Sequence, residues 1–463
     1  MKEVTVLSCA SNARKVRTQT STWIPRNILR AALLLCVAFM GSSILVMAQA
    51  GQLDKSFGNG GLFTTNVGPF EAAADAVALQ SDGRIVVTGL LSGRAGVLRL
   101  KSDGSLDSSF GTGGMVTIKV GATGDGLAQA IAVAVQTDGK ILAAISTAGA
   151  DAAPAFAVAR LNPDGSLDTG FGSGGITIST PFNFAGDTVL ALQPDGRILL
   201  AGSGAMARYT TSGQFDTTFG NGGLVVIVSR LISAIGLQAN GQILLASSQL
   251  AQPIGLFPPL QSLSPGGVLD ASTISRYNAN GSLDTSFGIS GKIASVAAVS
   301  SMLVQSDGKF VVAGVMTGKL VPPPGGPDTG FGSIRYNSDG SIDTSFGKGG
   351  AVFTSFGAKA PLATPFALAL QSNGDLIAAG VAGAPGLLGT SNFGSFALAR
   401  YTSSGTLDTG FGSGGKVTTV FPNNASGIAV LALQSDGKIV AAGNFGTEFN
   451  FVNNIAVARY LGQ

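Results

Sequence analysis

Asn337-Ser338-Asp339-Gly340-Ser341-Ile342-Asp343-Thr344-Ser345-Phe346-Gly347 is one copy of a phrase that the chain uses seven times. Its second aspartate returns as Asp54, Asp107, Asp168, Asp216, Asp284, Asp343 and Asp408, each followed three residues later by Phe-Gly. The intervals between these aspartates are 53, 61, 48, 68, 59 and 65 residues. A long, nearly regular period marks an architecture of repeated supersecondary units, none of which can bury its apolar face alone.

Outward from that phrase, each repeat holds four short apolar segments. In the last copy they are Lys416 to Val420, Ile428 to Gln434, Lys438 to Ala442 and Ile455 to Tyr460. They are rich in Val, Ile, Ala and Thr and bounded by Gly, Asn or Asp, which reads as strands. No segment shows a helical period, and 68 glycines suit many tight turns. Two connections per repeat have a fixed form. One is a Gln-x-Asp-Gly or Gln-x-Asn-Gly phrase, as in Gln80-Ser81-Asp82-Gly83 and Gln238-Ala239-Asn240-Gly241. Its Asp-Gly or Asn-Gly pair predicts a type I′ hairpin turn. The other follows the last strand, as in Asp103-Gly104 and Asn280-Gly281.

Each repeat is thus a four-stranded antiparallel meander, and meanders repeated seven times predict an all-β, seven-bladed β-propeller. The rival is an open solenoid with polar caps. The last copy runs out at Arg459-Tyr460-Leu461-Gly462-Gln463, whereas Gly51 to Gly58 carries the phrase that normally comes next. The last blade is therefore expected to be closed by the N-terminal strand. Residues 51–463 are read as one propeller domain of seven repeats of about 59 residues.

Ala432 to Gly443, Phe396 to Tyr401 and Ser338 to Gly350 together carry nearly the whole repeat phrase, and it resembles the delta-60 repeat. That resemblance implies an exported or envelope-associated bacterial β-propeller of unknown function, and brings no catalytic residues with it. Two copies depart from the pattern. Phe215 replaces Leu and Thr211-Ser212-Gly213 lacks the acid, while Pro322 to Gly332 inserts a stray Asp-Thr-Gly-Phe-Gly.

The first fifty residues differ from the rest. Lys2, Arg14, Lys15, Arg17, Arg26 and Arg30 precede an apolar run from Ala31 to Ala48, and Ala48-Gln49-Ala50 follows. A basic region, an apolar core and an A-x-A site describe a secretory signal peptide, here with cleavage after Ala50. The rival is a retained anchor, since the run is near the length that spans a bilayer. The expected location is secreted, periplasmic or cell-envelope, with membrane contact only if the segment stays uncleaved. Both cysteines (Cys9, Cys36) and Trp23 lie in this segment, and the chain has no histidine. Beyond Ala50, 22 basic face 24 acidic residues, with no basic stripe, so nucleic acid is not an expected partner.

The most regular pair is Arg and Asp. Arg99, Arg160, Arg208, Arg276, Arg335 and Arg400 precede Asp107, Asp168, Asp216, Asp284, Asp343 and Asp408 by eight residues each time. Arg459 has no Asp after it and Asp54 no Arg before it, so these two are expected to pair across the closure. A structural ion pair in each blade is the reading, held through two hydrogen bonds of a planar guanidinium. The alternative is a ring of arginines facing an anionic ligand. The repeated Phe of Phe-Gly is expected to pack between blades. Asn162 to Asp168 looks like part of a calcium loop, but other copies place Lys101 at its first position, and Asx turns account for the same letters.

Without His or Cys beyond Ala50, triads, thiolate chemistry and the usual zinc sites are not available. No catalytic, cofactor-binding or metal-ligating set is assigned. In a meander the two fixed turns share one face of the disc. The other face carries variable connections: Ser247 to Ser272, Thr317 to Gly330, Ala382 to Ser395 and Asn444 to Asn454, against Gly202 to Ala205 in the third copy. Variable loops on a rigid scaffold are where binding concentrates. Leu256, Phe257, Leu260, Phe445, Phe449 and Phe451 make that face apolar, which points to a protein or glycan partner. The expected role is a binding or scaffold propeller. Its rivals are an Asp-based carbohydrate-active enzyme, which would gather Asp125, Asp187, Asp270 or Asp328, and a structural envelope component without a discrete ligand.

Overall fold

A computed structural model describes residues 49–463 except 67–71, 121–127, 149–153, 180–187, 228–230, 249–271, 296–297, 318–328, 358–359, 386–391, 422–424 and 448–449. The expected leader therefore lies outside the described residues up to Ala48. The unit Gln49–Gln463 contains only strands among those residues, arranged as seven four-stranded antiparallel sheets.

The first strands of the blades are Ala73–Leu79, Ala128–Val135, Val189–Leu192, Leu231–Leu237, Ala298–Val304, Leu362–Leu370 and Ala425–Leu433. Each packs on the first strand of the next blade, and Ala425–Leu433 returns to Ala73–Leu79, which closes the ring. The second and third strands are sandwiched between neighbouring sheets. Ile85–Leu91 is buried at every position, and this is why these strands are continuous apolar runs without an in-out alternation. Seven apolar clusters fill the seams, each mixing side chains of adjacent blades, as when Val440 and Val457 pack with Ile85 and Leu98. The fourth strands form the outer rim and are short, as in Met115–Thr117 and Leu224–Val226. Such short edges offer little template for adding another strand.

The seventh blade combines both ends of the chain. Leu62–Asn66 pairs with Asn450–Tyr460 in the register Leu62↔Ala458 to Asn66↔Asn454. The reading of Lys416 to Val420 as part of the last copy is corrected, because Lys416–Thr419 pairs with Asn392–Tyr401 and completes the sixth blade. The cause is local. Asp408 N–H donates to Arg400 O (2.9 Å) and Arg400 N–H to Gly415 O (3.0 Å), folding the connection back on its own third strand.

The hairpin turn is also corrected. Gly83 N–H donates to Gln80 O at 2.9 Å, and Gly83 has φ +84°. Asp82 is not in the left-handed region; among the described residues only Ser92 and Ser290 are, glycines aside. This is a type I turn with a glycine bulge in place of a type I′ turn. In the fifth blade the stray Asp-Thr-Gly-Phe-Gly is not a second copy of the turn phrase. Its last four residues open the strand Thr329–Tyr336, and Phe331 is buried against Phe356.

Five blades end their third strand in tyrosine. Tyr401 donates to Thr354 Oγ1 (2.7 Å) and Tyr460 to Thr419 Oγ1 (2.8 Å), each on the preceding blade, and Tyr209 contacts Ser179 in the same way. Burial pushes all five phenols up, Tyr209 to about 12, against the acceptor or donor each meets. A folded pKa above the unfolded value of about 10 stabilises the fold below pH 10, and that contribution is lost as pH rises toward 12. Phenolate absorbance is therefore expected to stay low at pH 10 and to rise together with loss of the circular-dichroism signal. Phenols that ionise near pH 10 with an unchanged β-sheet spectrum contradict this burial.

Candidate functional site

The inter-blade seam on the fixed-turn face is built from one Arg, one Asp and one Phe per repeat. The third strand carries the Arg near its end, and the connection folds back so that Asp and Phe lie under it. The structure brings all seven arginines to their aspartates, with Nε–Oδ2 distances of 2.7 to 2.9 Å. Arg459 and Asp54 meet across the closure at 2.9 Å although 405 residues apart. The expected two-pronged grip on one carboxylate is replaced in most blades by a division of the guanidinium among three acceptors. In Arg335, Nε goes to Asp343 (2.8 Å), Nη2 to Ser345 Oγ (3.3 Å) and Nη1 to the Ser403 carbonyl of the next blade (2.6 Å). Arg99, Arg160, Arg208, Arg276, Arg400 and Arg459 reach Pro163, Thr211, Ala279, Ser338, Gly462 and Ser102 in the same way. A charge-assisted bond to the neighbouring turn thus ties each blade to the next.

Sequence reading missed a second use of the arginines. Each guanidinium lies over the Phe of its own repeat, 4.5 to 4.7 Å from the ring centroid. A desolvated cation–π contact of this kind contributes roughly 2 kcal/mol. The signal was present, because Phe follows Arg by eleven residues in every unbroken copy. The Phe rings are almost completely buried, and six of them border the turn glycine of the next blade. A Cβ on Gly104 falls 2.8 Å from the Phe57 ring, and that glycine also has φ +85°.

A third group joins six of the seven carboxylates. Arg84, Lys140, Arg197, Lys309 and Lys438, from the hairpin turns, lie 2.8 to 3.5 Å from Asp107, Asp168, Asp216, Asp343 and Asp54. Gln242 donates to Asp284 at 2.7 Å. The sixth blade has Asp375 at the corresponding position, and Asp408 is the most exposed of the seven acids at 24%. Burial pushes the Asp54 carboxyl up, but Ser56, Arg459 and Lys438 together hold it below its ordinary value. Lys309 and Ser345 hold Asp343 far below the usual carboxylate range.

The variable-loop face is less fully described. Leu256, Phe257, Leu260 and Phe449 lie outside the described residues, as does the Phe451 side chain. So do Asp125, Asp187, Asp270 and Asp328. Phe445 is half-buried, stacks on Phe421 at 5.7 Å and packs against the core between the sixth and seventh blades. Asp75 projects at a bulge of the first blade's inner strand, and Gln129 of the second blade donates to it at 2.7 Å. In the Asn162–Asp168 loop, Asp164 Oδ1 is taken by Ser166 N–H (2.9 Å) and Oγ (2.7 Å), an Asx turn. Among the described residues no group of three or more acidic, His or Cys side chains is placed to hold a metal.

Segments 80–110, 136–171, 193–219, 264–287, 305–346, 371–411 and 434–462 match the family described as "Domain of unknown function (DUF5122) beta-propeller". The chain belongs to this family of β-propeller repeats. No curated protein matches the sequence. Virginiamycin B lyase from Staphylococcus aureus is similar in structure at 12% identity and TM-score 0.44, over 86% of this chain and 98% of that one. Drosophila plexin A in complex with semaphorin 1b aligns at 10% identity and TM-score 0.39, over 89% of this chain and 88% of that one. A protein of unknown function from Dyadobacter fermentans aligns at 13% identity and TM-score 0.39, over 87% of this chain and all of that one, 100%. Likeness at this level carries no argument about activity.

Proposed function

We propose that the protein is an exported binding or scaffold propeller that holds a protein or glycan partner on its variable-loop face. The observation that carries this reading is the asymmetry of the two faces. On one, every connection has the same form and is bonded to its neighbour through Arg, Asp and Phe. On the other, connections range from the two residues Ser203-Gly204 to the segment 249–272. A rigid ring that varies only on one face suits recognition by loops. Export is supported by the basic and apolar composition before Ala50.

The test is binding of the intact chain to a glycan panel and to isolated envelope proteins, beside a variant with 249–271 replaced by a short Gly-Ser linker. The expected result is at least a tenfold loss of binding with unchanged thermal unfolding. Equal binding by both proteins removes this loop from the recognition surface. Sugar cleavage by the intact chain instead favours the carbohydrate-active reading.

A further inference from the structure

In six repeats the connection after the third strand opens with an unbroken five-residue turn, such as Lys101-Ser102-Asp103-Gly104-Ser105. Its first residue closes the turn, with Gly104 N–H to Lys101 O at 3.0 Å and Lys101 N–H to Ser105 O at 2.8 Å. Its second residue gives its carbonyl to the arginine of the preceding blade. Its third gives its carbonyl to a backbone amide there, Gly58 N–H to Asp103 O at 2.7 Å. Asp164, Ser212, Asn280, Asp339 and Ser404 repeat this third contact at 2.7 to 3.3 Å.

The seventh turn is assembled from two distant stretches. Leu461 takes the first position, accepting from Gly51 N–H (2.7 Å) and donating to Gln52 O (2.9 Å). Gly462 takes the second, accepting from Arg400. Ala50 takes the third, accepting from Gly412 N–H at 2.8 Å, and is buried. Gly51 takes the fourth with φ +84°, matching +85° at Gly104. Gln49 adds two bonds of its own, Nε2 to Gly412 O (3.1 Å) and its carbonyl to Gln52 N–H (3.1 Å).

Cleavage between Ala50 and Gly51 removes the acceptor of Gly412 N–H and places an ammonium group inside the turn. Cleavage two residues earlier leaves the turn whole. Val46-Met47-Ala48 also ends in a small residue preceded at the third position by a compact aliphatic one, the pattern such a site needs. We infer that the leader is removed between Ala48 and Gln49, so that Gln49-Ala50-Gly51 stays to complete the split turn. This rests on the export reading and refines its processing site.

The test is expression of the full chain in a bacterial host, with N-terminal sequencing and intact mass of the exported product. The expected first residue is Gln49. A product starting at Gly51 overturns the inference and leaves export standing, whereas a product that keeps its leader overturns cleavage altogether. Two variants separate the sites. Ala48→Asp is expected to block processing, and Ala50→Asp to leave Gln49 as the first residue. Asp stands at this turn position in Asp103, Asp164 and Asp339, so the turn backbone accommodates it. Loss of processing in Ala50→Asp places the cut after Ala50 and sinks the proposal.

Discussion

A chain lacking residues 49–66 is expected to fail as a folded monomer, although the deletion touches one of seven blades. Phe57 is fully buried in the seam between the seventh and first blades. Loss of such a ring alone costs about 3–5 kcal/mol. Asp54 leaves Arg459 buried without its acid, which costs roughly as much again, about 3–5 kcal/mol. Neighbouring losses do not simply add. Even so, the combination approaches the whole stability of a typical domain, about 5–15 kcal/mol. The Asn450–Tyr460 strand also loses its partner Leu62–Asn66 and becomes an open edge. Size-exclusion chromatography is expected to show association or aggregation, and circular dichroism a broad, early melt. A peptide of residues 49–66 added in trans is expected to restore a sharp melt, because it supplies the strand, the Asp and the Phe together. A truncated chain that stays monomeric with an unchanged melt overturns the closure argument.

Intervals along the chain were legible, and the geometry that one element takes beside another was not. Seven Asp-x-x-Phe-Gly phrases at a long period fix blade number, because each phrase is a complete local hydrogen-bond unit. The Arg-to-Asp interval of eight survives varying loop length because both residues belong to one folded-back connection. The gap at Arg459 and Asp54 carries the closure for the same reason. What could not be read was which sheet a strand joins. Lys416–Thr419 looks alike beside either neighbour, and only the bonds of Arg400 to Gly415 and Asp408 assign it to the sixth blade. The hairpin type was misread because Asp-Gly fits two turns, and the backbone of Asp82 decides between them. Phe445 reads as a surface aromatic because its loop varies, whereas its stacking on Phe421, which half-buries it, leaves no mark in the sequence. Only geometry between blades carries that information, and no interval along the chain encodes it.

Arg459→Met is expected to lower stability by about 3–5 kcal/mol, as is Asp54→Asn, because each leaves the other buried without its partner. The double variant is expected to lose less than the sum, by roughly 1–3 kcal/mol, since the two substitutions remove one shared interaction. Urea unfolding of the four proteins measures this, and strict additivity removes the pair from the energetics of closure. The same cycle on Arg400 and Asp408 sets the scale. That acid is more exposed, and Asp375 stands at the turn position where other blades supply a cation or an amide, so its coupling is expected to be the smaller. Acid provides an independent check with a definite sign. The Asp54 carboxyl lies below its ordinary value of 3.8 in the fold, so its contribution is present above that pH and fades as pH falls through the lower folded value. The coupling is therefore expected to persist at pH 5 and to shrink progressively below 3.8. Coupling that is unchanged under strong acid points to packing of the Arg459 side chain on Phe57, with the charge of Asp54 contributing nothing.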